Sequence, residues 1–212
     1  MNGRRQPHKH APKSALHRTK PRNFVRIVGG KWRGRHVPVA DTDGLRPTPD
    51  RVRETLFNWL SPHIVGAHCL DLFAGSGALG FEALSRGAAH VHFVEQDRRM
   101  RVALAQMLTT LECRDASIAQ HDAFTLLDKA GHDPANAFDL VFIDPPFSQA
   151  WQAPVLAALA KSALLQAHAH LYVESNSTWD AQALPDGMEL LRAKSAGLVR
   201  YHLISWQRDG QA

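Results

Sequence analysis

Cysteine is nearly absent from this chain, with only Cys69 and Cys113 among 212 residues. Their separation fits neither a metal site nor a disulfide framework. Long apolar runs are missing too. The most apolar stretch, 153–167, is interrupted by Lys161 and Ser162, so a membrane span is not expected. The N-terminus has charge but lacks the apolar segment of a signal peptide. The histidines number thirteen, yet the H-x-H pairs His90/His92 and His168/His170 have no Cys or acid nearby to complete a metal site. A cytoplasmic, metal-free protein with no membrane partner is the expectation. Acids are lacking in the first 40 residues, which hold eleven Lys and Arg, while the remainder has 14 basic and 20 acidic residues. That asymmetry is the one expected of a nucleic-acid-binding arm on a neutral-to-acidic body, the plainer alternative being a solubilising tail.

What is present suits one globular domain, with 44% hydrophobic and 21% charged residues and length enough for a sizeable core. Residues 1–23 are basic, contain Pro7, Pro12 and Pro21, and are expected to stay disordered. Residues 24–62 read as a basic hairpin and helix, and 63–212 as the main body. In the hairpin, 24–28 and 36–39 alternate like strands around the glycine-rich, basic turn 29–35. Residues 41–47 are expected to form a loop. Thr48-Pro49-Asp50 then has the form of a helix start, with a cap, a first-position proline and an early acid. Val52, Leu56, Trp59 and Leu60 follow at helical spacing. From Ala67 to Trp206 strands and helices alternate, which predicts a mostly parallel sheet. Segments 189–192 and 199–206 are expected to close it as a hairpin with one antiparallel strand.

The chemistry is concentrated at Asp144-Pro145-Pro146-Phe147, directly after the apolar run 138–143. Neither proline has an N–H for a strand ladder, so the chain must turn at the strand's carboxyl end, where open α/β sheets place ligands. A carboxylate, a prolyl carbonyl and an aromatic face then point into one small space. Two acceptors beside a flat ring suit a planar group with an NH2, such as a nucleobase amine.

A second signal lies upstream. The apolar strand 69–73 (CLDLF) runs into Gly75-Ser76-Gly77-Ala78-Leu79-Gly80 and a helix over 81–86, which is the strand-turn-helix setting that gives a G-x-G-x-x-G pattern meaning. Asp71 in that strand would repel a pyrophosphate and attract a cationic head, such as an amino group near a sulfonium. The next strand, 91–94, ends at Glu95, where an acid can take both ribose hydroxyls. The strand 116–119 leads to Asp122-Ala123, placed to meet an adenine edge. Asp71, Glu95, Asp122 and Asp144 thus close successive strands at intervals of 24, 27 and 22 residues, the repeat of a βαβ unit. Helix-capping acids would explain each one singly.

With DLFAGSGALG, Glu95, DPPF and the upstream run 26–35 (RIVGGKWRGR), the chain resembles the bacterial 16S rRNA (guanine-N2)-methyltransferases. The glycine loop and DPPF are shared by many amino methyltransferases. The GGKWRGR run and GLRPT-x-DRVRETLFNWL (44–60) point to this family, and the likeness extends from about Phe24 to about Arg208. It implies a Rossmann-like class I methyltransferase fold: a mostly parallel seven-stranded sheet with helices on both faces, one antiparallel strand and a small N-terminal hairpin-helix extension. It implies S-adenosylmethionine as cofactor, held by Asp71, Phe73, Ala74, Gly75, Ser76, Gly77, Gly80, Glu95, Gln96, Asp122 and Ala123. Asp144, Pro145, Pro146 and Phe147 become the catalytic segment. Lys31, Trp32, Arg33, Arg35 and Arg46 become candidates to hold RNA. The implied partner is 16S rRNA, in an assembled or assembling 30S particle, with no protein partner and nothing demanding more than a monomer. Thr48 and Glu54 fall in the motif, but capping and surface polarity explain them equally. Glu174, after the strand 171–173, borders the site without an assigned role. Competing readings are a DNA adenine-N6 or protein-glutamine methyltransferase, a non-catalytic ribosome assembly factor and, for the glycine loop alone, a nicotinamide oxidoreductase.

Overall fold

Fourteen strands and helices are set out in the computed structural model, which describes residues 24–39, 48–129, 137–146, 150–175 and 183–208. The strands are β1 (Phe24–Arg26), β2 (His36–Pro38), β3 (His68–Asp71), β4 (His90–Val94), β5 (Ala116–Ala119), β6 (Phe138–Ile143), β7 (Leu165–Ser175), β8 (Met188–Ala196) and β9 (Val199–Trp206). The helices are α1 (Asp50–Trp59), α2 (Ala78–Ser85), α3 (Arg98–Thr110), α4 (Ala123–Lys129) and α5 (Gln152–Lys161). Seven strands form one sheet in the order β5-β4-β3-β6-β7-β9-β8. Pairings from β5 through β7 are parallel, and β9 runs antiparallel to both β7 and β8. The expected single reversed strand is β9, inserted between β7 and the edge strand β8.

Continuous apolar strands make a sheet that must be covered on both faces. In β6, Leu140 and Phe142 join one core with Val52, Leu56 and Phe57 of α1, Leu79, Phe81 and Leu84 of α2, and Leu104 and Met107 of α3. Val141 and Ile143 join the opposite core with Leu127 of α4 and Val155, Leu156 and Leu159 of α5. The period of two along the strand thus assigns the helices to two sides.

Several boundaries differ from the sequence expectation. Helix α2 begins at Ala78 rather than Phe81, directly after the left-handed Gly77 (φ 77°). Strand β7 covers eleven residues where 171–173 were expected. The polar Gln166, His168 and His170 hide its first half, which nonetheless pairs beside β6 through Leu165 and His170. Strand β8 extends through exposed Lys194 and Ser195, because its ladder with β9 is made by backbone groups.

The small hairpin lies along α2. Val25 and Val39 pack with Ala78 at that helix's start, while Val28 N–H donates to Glu82 Oε2 at 2.7 Å. At the helix's end, Ser85 accepts from Lys31 N–H (2.7 Å) at its carbonyl and from Trp32 N–H (2.9 Å) at its hydroxyl. Buried Arg53 fixes α1 to the same hairpin by donating to the Arg26 carbonyl at 2.7 Å and to Asp50.

Candidate active site

Three acids come together at the carboxyl ends of three adjacent strands. Asp71 ends β3, Asp144 follows β6, and Glu174 is next to last in β7. The register sets Asp71 opposite Phe142 and Phe142 opposite Tyr172, so Asp144 and Glu174 sit at one level and Asp71 two residues back along the sheet. Thr48, just before α1, reaches across to them. Its Oγ1 is 2.8 Å from Glu174 Oε1 and 3.3 Å from Asp144 Oδ2. The Tyr172 hydroxyl donates to the same Glu174 oxygen at 2.6 Å, and Gln152 of α5 donates to the Glu174 backbone carbonyl at 3.1 Å. Thr48 is therefore not the cap of α1. Position 49 is the boundary residue, no side chain caps the helix, and the threonine is buried against carboxyls instead. Glu54 is exposed, as surface polarity would have it.

These acids are electrostatically unusual. Burial pushes the Asp71 carboxyl from 3.8 up to about 7, with the Gly80 N–H drawing it down and Glu95 adding to the rise. Burial, followed by the negative neighbours Glu174 and Asp71, holds the Asp144 carboxyl well above its ordinary range, against the pull of the Thr48 hydroxyl. Glu174 is also raised by burial, opposed by the Tyr172 and Thr48 hydroxyls. Asp71 uses one oxygen, Oδ2, to accept from Gly80 N–H at 3.0 Å, and no described residue bonds to the other. A buried, incompletely paired carboxyl of this kind favours a cationic group beside it.

The glycine loop shapes the space next to these acids. Gly77 N–H donates to the Ala74 carbonyl at 2.6 Å, and Ala74 N–H to Val94 at 3.0 Å, which stitches the turn to β4. A Cβ on Gly80 would stand 2.2 Å from the Phe93 ring, so only glycine lets α2 lie this close to β4. Glu95 receives Gly75 N–H at 2.8 Å on Oε2 and Asp97 N–H at 2.7 Å on Oε1. Each oxygen keeps a lone pair, enough for a diol. Gln96 is exposed, and its carbonyl takes Arg101 Nη1 at 2.6 Å. Asp122 behaves differently. Its oxygens accept from the Thr125 N–H at 2.9 Å and the Thr125 hydroxyl at 2.5 Å, which lowers its carboxyl and makes it a cap for α4. Ala123 is buried next to it. Phe73 stacks on Trp151 with ring centroids 5.8 Å apart, and Phe124 meets the same Trp151 edge-on at 5.4 Å.

Not every expected residue gathers here. Pro145 is buried and Pro146 exposed beside Asp144, while Phe147 and Arg46 lie outside the described residues, as does the tail 1–23. Lys31, Trp32, Arg33 and Arg35 sit at the far end of α2 from the glycine loop, about 12 Å away for an eight-residue helix. Arg33 and Arg35 are exposed; Trp32 is half-buried, packs on the core and has Lys31 Nζ 4.5 Å above its ring. Three of the four paired histidines have protein partners. His90 and His92 share the Ser117 hydroxyl at 2.8 and 2.7 Å, and His170 stacks on His63. Among the described residues no three His, Cys, Asp or Glu are arranged to hold a metal ion, and no helix is long and apolar enough to cross a membrane.

Sequence reasoning placed Glu174 at the border of the site from its strand-end position, without a role, and missed Thr48, Tyr172, Phe124 and Trp151 as members of it. The Thr48 contact joins residues 126 apart and has no local signature.

Known proteins of this shape and sequence agree with one another. The family described as "Conserved hypothetical protein 95" matches residues 25–205. Ribosomal RNA small subunit methyltransferase D of Escherichia coli K12 is 46% identical over 187 residues, 88% of this chain and 91% of that protein. The Haemophilus influenzae protein of the same name is 43% identical over 181 residues, 84% of this chain and 92% of its own. The solved structure of yhhF from Escherichia coli superposes with a TM-score of 0.79 at 43% identity, covering 88% of this chain and all of that one. With a glycine loop and strand-end acids in one class I fold, and DPPF in its sequence, this chain belongs to the ribosomal RNA small subunit methyltransferase D family.

Proposed function

We propose that the protein transfers a methyl group from S-adenosylmethionine to the exocyclic N2 of a guanine in 16S rRNA, acting in the cytoplasm as a monomer on the assembled or assembling 30S particle. The relatives' name supports ribosomal RNA over DNA or protein as acceptor. The observation that carries the amine assignment is Asp144, held at the end of β6 within one group with Asp71 and Glu174. When bound, S-adenosylmethionine supplies an electrophilic methyl on a sulfonium. Asp71 faces its cationic end, Glu95 takes the ribose hydroxyls, and the loop 73–77 with Gly80 lets the ligand approach the backbone. Phe73, Gln96, Asp122 and Ala123 border the adenine, where Asp122 acts by holding the start of α4 in place.

The guanine amine is a poor nucleophile because its lone pair is shared with the ring. Asp144 and the Pro145 carbonyl each accept one N–H, which favours a pyramidal nitrogen with its lone pair free. The gain is positional and electrostatic, on the order of several kcal/mol for preorganised acceptors. As charge develops on nitrogen, the carboxylate stabilises it and takes its proton. Phe147 stacks on the base, worth roughly 1–3 kcal/mol without discriminating among bases. Such access requires a base drawn from its stack or already in a loop. The basic turn with Lys31, Trp32, Arg33 and Arg35, together with Arg46, holds phosphates around it, and its position along α2 demands an RNA footprint wider than one nucleotide. The test is incubation with labelled S-adenosylmethionine and unmodified 16S rRNA, free or in 30S particles, followed by nucleoside analysis. N2-methylguanosine is expected; a different methylated nucleoside, or none, refutes the reading.

A further inference from the structure

Thr48 has one hydroxyl hydrogen and two carboxyl neighbours. Its Oγ1 lies 2.8 Å from Glu174 Oε1 and 3.3 Å from Asp144 Oδ2. Tyr172 already aims its own hydrogen at that same Glu174 oxygen from 2.6 Å. Glu174 and Tyr172 are each 1% exposed and Thr48 6%, so bulk water does not supply further donors on the Glu174 side, whereas Asp144 is half-buried. Hydrogen counting then constrains the group. If Thr48 donates to Glu174, its contact with Asp144 is a hydrogen bond only when Asp144 carries a proton and donates back. If Thr48 donates to Asp144, the Glu174 side must carry that proton. Satisfying both contacts takes one proton on the pair. Two carboxyls this close, joined by one hydroxyl, titrate as a unit.

We propose that Glu174 is a positioning residue for the reaction: it shares a single proton with Asp144, and the Thr48 hydroxyl passes that proton to Glu174 when an amine docks on Asp144. The proposal rests on Asp144 being the amine acceptor. In the transfer the Asp144 Oδ2–H bond breaks and its hydrogen goes to Thr48 Oγ1. The Thr48 hydrogen moves to Glu174 Oε1, so the hydroxyl is re-formed and Tyr172 keeps its own hydrogen. Asp144 ends as a carboxylate able only to accept, which suits an NH2 and opposes a carbonyl edge. The proton later shed by the methylated amine lands on Asp144, and the half-buried Asp144 returns one proton to water. Other titratable groups acting on the pair are Asp71 on β3 and Tyr172 on β7, with Tyr201 of β9 opposite Glu174 in register and acting on Tyr172, none of them cationic at neutral pH. The raised carboxyls of Asp144 and Glu174 are what proton sharing would produce.

The test is a carbon-13 NMR titration of the side-chain carboxyls in the full chain, alongside the pH profile of kcat/KM with rRNA. Wild type should show a two-step curve at the Asp144 carbon. Glu174→Gln removes the negative neighbour and should leave a single step, its midpoint lower by about one pH unit or more. Thr48→Val removes the donor and should move it upward, and Thr48→Ser should restore the wild-type curve. The acid limb of kcat/KM should follow these directions. An Asp144 curve in Glu174→Gln that superimposes on wild type, in protein with a native thermal melt, overturns the proposal. If Glu174→Gln does not fold, an unchanged curve in Thr48→Val does so alone. Since the titration needs no turnover, coupled curves in an enzyme that makes no N2-methylguanosine would sink the guanine assignment and leave proton sharing standing.

Discussion

The acids that close the strands of this sheet divide into two kinds. Asp71, Asp144 and Glu174 follow the central strands β3, β6 and β7; Asp71 and Glu174 are buried and Asp144 half-buried, no backbone N–H caps Asp144 or Glu174 among the described residues, and all three carboxyls are raised. Asp97 and Asp122, after β4 and β5 toward the edge, are partly or fully exposed and donor-rich. Asp97 is lowered by the side chain and N–H of Arg99, and Asp122 by the hydroxyl and N–H of Thr125. Topological position is nearly the same in both groups, and the chemistry is opposite. A carboxyl that caps a helix has given its lone pairs to backbone and hydroxyl hydrogens. One held in a donor-poor interior retains them for a cation or an amine. Glu95 lies between, with both oxygens on backbone N–H groups yet capacity to spare.

The comparison breaks most visibly at Asp144. Asp144→Ala should lower kcat by about a thousandfold, the scale of losing one preorganised polar group at a reacting centre. Cofactor affinity, measured by calorimetry, should change little. Asp71→Asn should do the reverse, weakening S-adenosylmethionine by about a hundredfold, as expected for removal of a buried charge partner. The same substitution should raise the melting temperature of the free protein at pH 7.5 by several degrees, since it removes a buried charge with no cation beside it.

The pH dependence sharpens the contrast, because the two groups have opposite signs. Asp71 titrates at about 7 in the fold and near 3.8 when unfolded, so between those values the folded state keeps a proton that the unfolded state loses. Stability of the free protein therefore falls as pH rises from about 4 to 7, by at most on the order of 4 kcal/mol from this group, and levels off above. The depressed Asp97 and Asp122 act the other way, and their contribution is lost as pH falls through their folded values. Thermal melts should thus show a mildly acidic optimum, and Asp71→Asn should flatten its alkaline side. The smallest effect belongs to the exposed group: Asp122→Ala should cost about 1 kcal/mol, as for other helix caps, and leave turnover within a few fold of wild type.

How far this site could be read in sequence depends on how local its causes are. The glycine loop, Asp71 and Asp144 were legible because one strand and one turn fix each of them. The parallel sheet was legible from alternation alone. Thr48 was not, because Pro49 and Asp50 give it every local mark of a helix cap, whereas its hydroxyl is directed by the fold to β7. Asp122 shows the converse: regular spacing groups it with the site acids, and the fold adds what spacing does not show, that Thr125, three residues on, donates to its carboxylate. The basic turn was legible as a cluster, but its location at the far end of α2 depends on the docking of Gly29 to Trp32 on Ser85. That contact spans more than 50 residues of chain.

One side-by-side measurement decides whether Asp144 carries the methyl transfer. Unmodified 30S particles are incubated under single-turnover conditions with S-adenosylmethionine and wild type, Asp144→Ala or Asp122→Ala, and N2-methylguanosine is quantified. The modified nucleoside is expected from wild type and Asp122→Ala and essentially none from Asp144→Ala. A wild-type yield from Asp144→Ala would contradict it.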